Sequence, residues 1–273
     1  MPSVKLSFAD VLSEGFGFFF ANLRLFFHLV TIPWIMSLAI RLAGALLAED
    51  SLLAVLIEKL LDVVPTVMFM VAWQRVVLLG PHRVDRPPGL AWSSRELAYL
   101  KHLIKVAGVT FLLVAAFALT VGTLDPATLE STAPLDPEAA RRQAMAAPLA
   151  VGFFVSTLLA LRVSYGLAAT AVDVPFSPRF SWLYSRGNSW TIIGALFLAF
   201  FLSALVTAMA TLIVYGIVRG VLAAQEGAAI VTWTVAILVS YAGAGIVATV
   251  QAVIFRRLLA WREGNPLPTP SPS

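Results

Sequence analysis

The stretch WTIIGALFLAFFLSALVTAMATLIVYGIV, Trp190 to Val218, carries no charged side chain. A helix crosses the hydrocarbon core of a bilayer in about 20 apolar residues, so this stretch is long enough to span. The rest of the chain agrees with it. Of 273 residues, 59% are hydrophobic and 12% charged, and the mean hydropathy is +0.88. A soluble domain carries about 25% charged residues. The expected fold class is therefore all-α: a polytopic membrane helix bundle.

Working outward from Trp190–Val218, the apolar runs predict six spans, at about 23–48, 52–79, 103–124, 146–170, 190–218 and 229–255. Pro33 and Pro65 fall inside the first two, which neighbouring helices can accommodate. Glu49, Asp50 and Ser51 read as the turn between them. Gly80–His102 is a polar connector. Leu124–Gln143, LDPATLESTAPLDPEAARRQ, is Pro-rich, acidic and non-periodic, and reads as a solvent loop. Arg219–Ala229 reads as a short turn. Residues 1–262 form one helical domain, and the Pro/Ser tail 263–273 is expected to be disordered.

Lys and Arg near span ends set the orientation. Twelve fall on one side, among them Lys5, Arg24, Arg95, Arg179, Arg186, Arg256 and Arg257, against four on the other: Lys59, Arg141, Arg142 and Arg219. The bias predicts cytoplasmic N- and C-termini and an external acidic loop at 125–138. Trp73, Trp92, Trp182, Trp190 and Trp261 fall near the cytoplasmic boundary, as an aromatic belt would. Arg exceeds Lys and Ala is abundant, which points to a GC-rich bacterial genome, and the membrane is expected to be the bacterial inner membrane. The pI near 9.7 reflects this edge charge, not nucleic-acid binding.

At the N-terminus, Phe8, Val11, Leu12, Phe16 and Phe19 recur at helical spacing opposite Ser7, Asp10, Ser13 and Glu14. This predicts an interfacial helix, not a cleaved signal. Similar elbows precede the other outgoing spans, FSWLYSRG from Phe180 and a looser LAWSSRELAYL from Leu90. Each opens with a helix-start signal: Ser7 with Asp10, Ser93 with Glu96, and Ser177 with Pro178. Gly187 suits a helix stop. Arg75, Arg162 and Arg256 or Arg257 stand toward the cytoplasmic ends of the returning spans. The implied unit is a threefold repeat of elbow, span out and span back.

Chemistry-bearing residues are few. With no cysteine, disulfides and thiol chemistry are excluded. His28, His82 and His102 form no metal-binding pattern, and no HExxH, GxSxG or Walker sequence appears. Arg41 and Glu58 sit at similar depth in a hairpin turning at 49–50, and pairing would relieve the cost of a bare charge in hydrocarbon. Arg162 is either intramembrane or the inner edge of a shorter span, in which case Val163–Phe176 lies along the interface. Its possible partners are Glu58, Asp62 and Asp173. Thr232, Ala236, Ser240, Ala244, Ala248 and Ala252 form a small-residue stripe, as do Ser203, Thr207 and Thr211, so the last two spans should pack closely. No catalytic, cofactor or metal site is expected.

The run LRVSYGLAATAVDVPFSPRFSWLYSRGNSW, Leu161–Trp190, together with SFADVLSEGFGFFFANLRLFF, Ser7–Phe27, resembles a broad bacterial group of six-span proteins. It is similar to YciC-like proteins and to the membrane domain attached to some glycerophosphoryl diester phosphodiesterases. The resemblance covers most of the chain in layout and defines no active site. The phosphodiesterase barrel has no counterpart here. The expected function is a non-catalytic inner-membrane protein of accessory or interaction type in envelope or lipid homeostasis, with the lipid bilayer and other membrane proteins as partners. The alternative is a small transporter using Arg162 and the Arg41–Glu58 pair.

Overall fold

The computed structural model describes residues 5–47, 52–81, 92–122, 137–175, 177–222 and 225–261. Among them the regular structure is helical: α1 Phe8–Ala21, α2 Leu23–Leu47, α3 Leu52–Leu79, α4 Ser94–Gly122, α5 Pro137–Ser164, α6 Leu167–Ala171, α7 Pro178–Tyr184, α8 Ser189–Leu222 and α9 Gln225–Leu258. Four are long and apolar enough to cross a membrane, over Leu23–Leu46, Ser94–Ala116, Ser189–Gly220 and Ala228–Leu258. A shorter apolar helix covers Ala150–Ser164. α8 and α9 have 34 residues each, about 51 Å at about 1.5 Å per residue.

The expected starts are realised in detail. Ser7 Oγ accepts from the Asp10 amide at 3.3 Å. Ser177 Oγ accepts from the Phe180 amide, with Pro178 opening α7. At Ser93 the Glu96 side chain reaches back as in a capping box, the Ser93 amide donating to Glu96 Oε2 at 2.9 Å, while Ser93 Oγ accepts from the Arg95 amide at 3.2 Å. Each arrangement gives a partner to a helix-end N–H that would otherwise lack one. Asn22 separates α1 from α2, its Nδ2 donating to Phe18 O at 2.8 Å. Gly187, at φ 81°, separates α7 from α8.

Several boundaries depart from the sequence reading. The second elbow is no separate helix: α4 runs unbroken from Ser94 through the span expected to start at 103. The end of the expected acidic loop, Pro137–Gln143, is the start of α5, where proline is pre-organised for a first helical turn. α8 and α9 extend to Leu222 and from Gln225, shortening the turn expected at Arg219–Ala229. The hairpin turn at 49–51, His82, Asp85, most of the acidic loop and the 263–273 tail lie outside the described residues.

α9 is the central helix, in contact with α1, α2, α3, α6 and α8. α1 is more than an interfacial helix: Val11, Gly15 and Phe19 are buried. A Cβ on Gly15 would come within 2.8 Å of Val250 Cγ2, and one on Gly245 within 2.9 Å of the Phe19 ring. Gly243 plays the same part toward α8, where a Cβ would meet Ser203 Cβ at 2.7 Å. Small residues thus allow the close backbone approach expected of the last two spans.

The core gathers around Trp73. Its ring meets Phe18, Phe19, Phe26 and Phe69 at centroid distances of 5.7–6.2 Å, and its Nε1 donates to Thr249 Oγ1 at 2.8 Å. Trp73 and Trp261 are therefore core residues, unlike the expected belt. Trp92, Trp182 and Trp190 are exposed, as a belt requires.

Candidate functional site

Among the described residues, many of the charged side chains fall into three structural ties and one cavity. The first tie joins α1 to α9. Glu14 accepts from Arg256 and Arg257, the latter at 2.6 Å from Nε and 2.5 Å from Nη2, and Asp10 lies 3.8 Å from Arg257. The second centres on Asp173. Arg95 grips its carboxylate with Nε at 2.9 Å and Nη2 at 2.6 Å. Arg75 lies 3.7 Å away and also donates to Ala171 O at 3.1 Å. Asp173 holds φ 60° just after α6, a backbone conformation that aspartate tolerates better than most residues.

The third tie is Arg162. It lies in the last turn of α5. None of Glu58, Asp62 or Asp173 partners it. Its guanidinium instead stacks 3.5 Å from the Trp182 ring centroid, and Nε donates to Ser185 Oγ at 2.8 Å. Tyr165 OH donates to Ser181 O at 2.7 Å beside it. In the segment after α5, Tyr165, Leu167, Ala168, Ala169 and Ala171 are buried against the neighbouring helices. Arg162 therefore fastens the α5 end to the α7 elbow. Arg162→Leu is expected to leave membrane insertion unchanged while lowering stability by about 1–2 kcal/mol, the size of one stacked cation and one charged hydrogen bond. Arg162→Lys should recover only part, because a lysine lacks the planar fork. Denaturant titration in detergent checks both; normal stability in Arg162→Leu would contradict this role.

Arg41 and Glu58 do pair. Arg41 Nη1 lies 2.8 Å from both Glu58 oxygens, and Lys59 Nζ lies 3.3 Å from Oε1. Glu58 is the buried member, at 9% side-chain exposure against 38% for Arg41. Gly44 leaves room for it: a Cβ there would fall 2.9 Å from Glu58 Oε2. The Arg41 guanidinium also sits 4.9 Å from the Trp233 ring centroid.

Beside this pair, between α2, α3, α8 and α9, is a cavity of about 370 Å³. Arg41, Lys59, Asp62 and Thr66 line one side; Trp233, Ser240 and Tyr241 line the other. The stripe of small residues is divided by it. Ala236, Ser240, Ala244 and Thr207 face the cavity, whereas Ala248 and Ala252 are packed in the core. On the far side of the ion pair a mostly apolar cleft of about 480 Å³ is lined by Ala43, Gly44, Ile57, Glu58 and Leu61. Asp62 entered the sequence reading only as a partner for Arg162. The overlooked signal was its spacing: Lys59, Asp62 and Thr66 lie at i, i+3 and i+7 in an otherwise apolar helix, which puts them on one face.

A second polar set lies deeper in the core. Gln74 Nε2 donates to Gln251 Oε1 at 2.9 Å, and Gln251 Nε2 to Ser164 Oγ at 3.2 Å, which joins α3, α9 and α5. No group of three metal-binding side chains occurs among the described residues.

No family model, curated protein or solved structure matches the chain. The class follows from the fold: a helical protein with four helices long and apolar enough to span a membrane, the architecture of a multi-pass membrane protein.

Proposed function

We propose that this chain is a six-span protein of the bacterial cytoplasmic membrane, with both termini in the cytoplasm and a non-catalytic accessory or interaction role in envelope or lipid homeostasis. α3 supports the count of six. It packs beside α2 through Arg41–Glu58 and beside α9 through Trp73–Thr249, contacts about 22 Å apart along its axis at about 1.5 Å per residue. Glu58, Lys59 and Asp62 lower its hydropathy, but all three lie within three turns of its start. α5 joins α4 to the α7–α8–α9 group in the same way and carries the fourth span. The threefold arrangement of outgoing and returning spans belongs to this reading.

The observation that carries the accessory role is the use made of charge. Asp10, Glu14, Arg75, Arg95, Arg162, Asp173, Arg256 and Arg257 fasten helix to helix, as in a scaffold with a fixed face. The cavity beside Arg41 favours a second reading, a small transporter, with Arg162 no longer in its path.

The absence of cysteine makes topology directly testable. A single cysteine at Pro134 should react with a membrane-impermeant maleimide added to intact spheroplasts, and one at Ser271 only after permeabilisation. The reverse pattern would refute the orientation. For the role, crosslinking in native membranes should capture a partner protein. Monomer alone, together with solute flux after reconstitution, would favour the transporter.

A further inference from the structure

We propose that the cavity between α2, α3, α8 and α9 binds an ammonium–phosphate zwitterion of the phosphoethanolamine type. Arg41 and Lys59 would hold the phosphate and Asp62 the ammonium group. The inference rests on the reading of the chain as membrane-spanning.

Its volume of about 370 Å³ lies within the range of small-ligand sites, about 300–1,000 Å³. The charge pattern defines the ligand. At one end two cations, Arg41 and Lys59, share a single carboxylate, Glu58, leaving one positive charge in excess. Arg41 makes both bonds to Glu58 through Nη1, so Nε and Nη2 are not spent there. Trp233 holds the face of the guanidinium, and an oriented fork suits a phosphate.

At the other end is Asp62, whose Oδ1 is buried without a hydrogen-bond partner. An unsatisfied carboxylate oxygen is costly in an apolar setting, and an N–H donor relieves that cost. Thr66 Oγ1 gives its proton to Asp62 O at 2.8 Å, so the hydroxyl oxygen is left to accept one. Lys59 and Asp62 differ by three residues on one helix face, a rise of about 4.5 Å. Neighbours at that spacing share a helix face, so a ligand with a short link between phosphate and amine can reach both. A simple anion would meet Asp62, and a simple cation would meet Arg41 and Lys59. A choline head offers no N–H to Asp62 and Thr66.

The same chemistry is carried by a lipid headgroup and by a soluble zwitterion, and one experiment distinguishes them. The full chain, purified in detergent and stripped of lipid, is offered phosphatidylethanolamine, phosphatidylglycerol and phosphatidylcholine at equal concentration under native mass spectrometry. Glycerophosphoethanolamine is titrated separately by calorimetry. Preferential retention of phosphatidylethanolamine is expected. Asp62→Asn and Lys59→Gln should each weaken it about ten-fold, the loss of one charge-assisted hydrogen bond, with phosphatidylglycerol binding unchanged in Asp62→Asn. Heat from glycerophosphoethanolamine as well would show that the soluble zwitterion suffices; retention of the lipid alone would assign the site to the bilayer.

Equal retention of the three lipids without heat from the soluble compound overturns the proposal. So does zwitterion binding that neither variant weakens. Should Asp62→Asn fail to fold, Lys59→Gln decides alone, since the Lys59 side chain is 65% exposed. Failure of the membrane-spanning reading would appear separately, in the cysteine labelling.

Discussion

Trp73→Ala is expected to lower stability by about 3–5 kcal/mol, the usual cost of emptying a large aromatic site in a packed core. Trp73 is fully buried and touches rings from α1, α2 and α3 at once. Its indole N–H also reaches Thr249 on α9. Truncation opens a cavity where four helices meet and leaves Thr249 without its donor. Trp73→Phe keeps most of the volume and should cost about 1–2 kcal/mol, largely the lost hydrogen bond. Unfolding in mixed detergent micelles, followed by circular dichroism, measures both. A loss under 1 kcal/mol in the alanine variant would mean that this cluster does not hold the helices together.

The second large effect is at the α2–α3 hairpin. Arg41→Leu should cost about 2 kcal/mol, because it leaves the buried Glu58 carboxylate with only Lys59 beside it in a setting where an unpaired charge is expensive. Removing both charges, as Arg41→Leu with Glu58→Leu, should recover most of the loss, since a buried pair contributes little beyond an apolar replacement of similar size. The double-mutant cycle isolates the coupling. Additive losses would show that Arg41 and Glu58 act independently, contrary to their 2.8 Å contacts.

The elements that were legible from sequence are those governed by local chemistry. Apolar runs longer than the bilayer is thick announce helices by composition alone. Ser7, Ser93 and Ser177 mark helix starts because a short oxygen-bearing side chain reaches its own next turn. Gly187 marks a stop because it tolerates a positive φ. Arg41 and Glu58 could be paired because a tight hairpin fixes the relative depth of its two arms. The same reasoning failed for Arg162. Glu58, Asp62 and Asp173 were candidates by charge, but an aromatic face and a serine hydroxyl satisfy a guanidinium equally well. Their proximity depends on how α7 folds back on α5.

The sequence by itself determined that the chain is helical, that it carries apolar runs of membrane-crossing length, and where most of its helices begin; it predicts six spans, where four helices are long and apolar enough to cross a bilayer. Those properties depend on residues within a few turns of one another and on the polarity of the surrounding medium. Only the tertiary structure decided that α1 is packed against α9, that Trp73 is core instead of belt, that Asp173 belongs to Arg95, and that Lys59, Asp62 and Trp233 face a common cavity. These are contacts between helices far apart in sequence. A helix as apolar all round as α8 or α9 carries little pattern to say which face meets which neighbour. The choice falls to side-chain size at the crossings, where Gly15, Gly243 and Gly245 let backbones approach and the bulk of Phe19, Trp73 and Val250 fills the space between them.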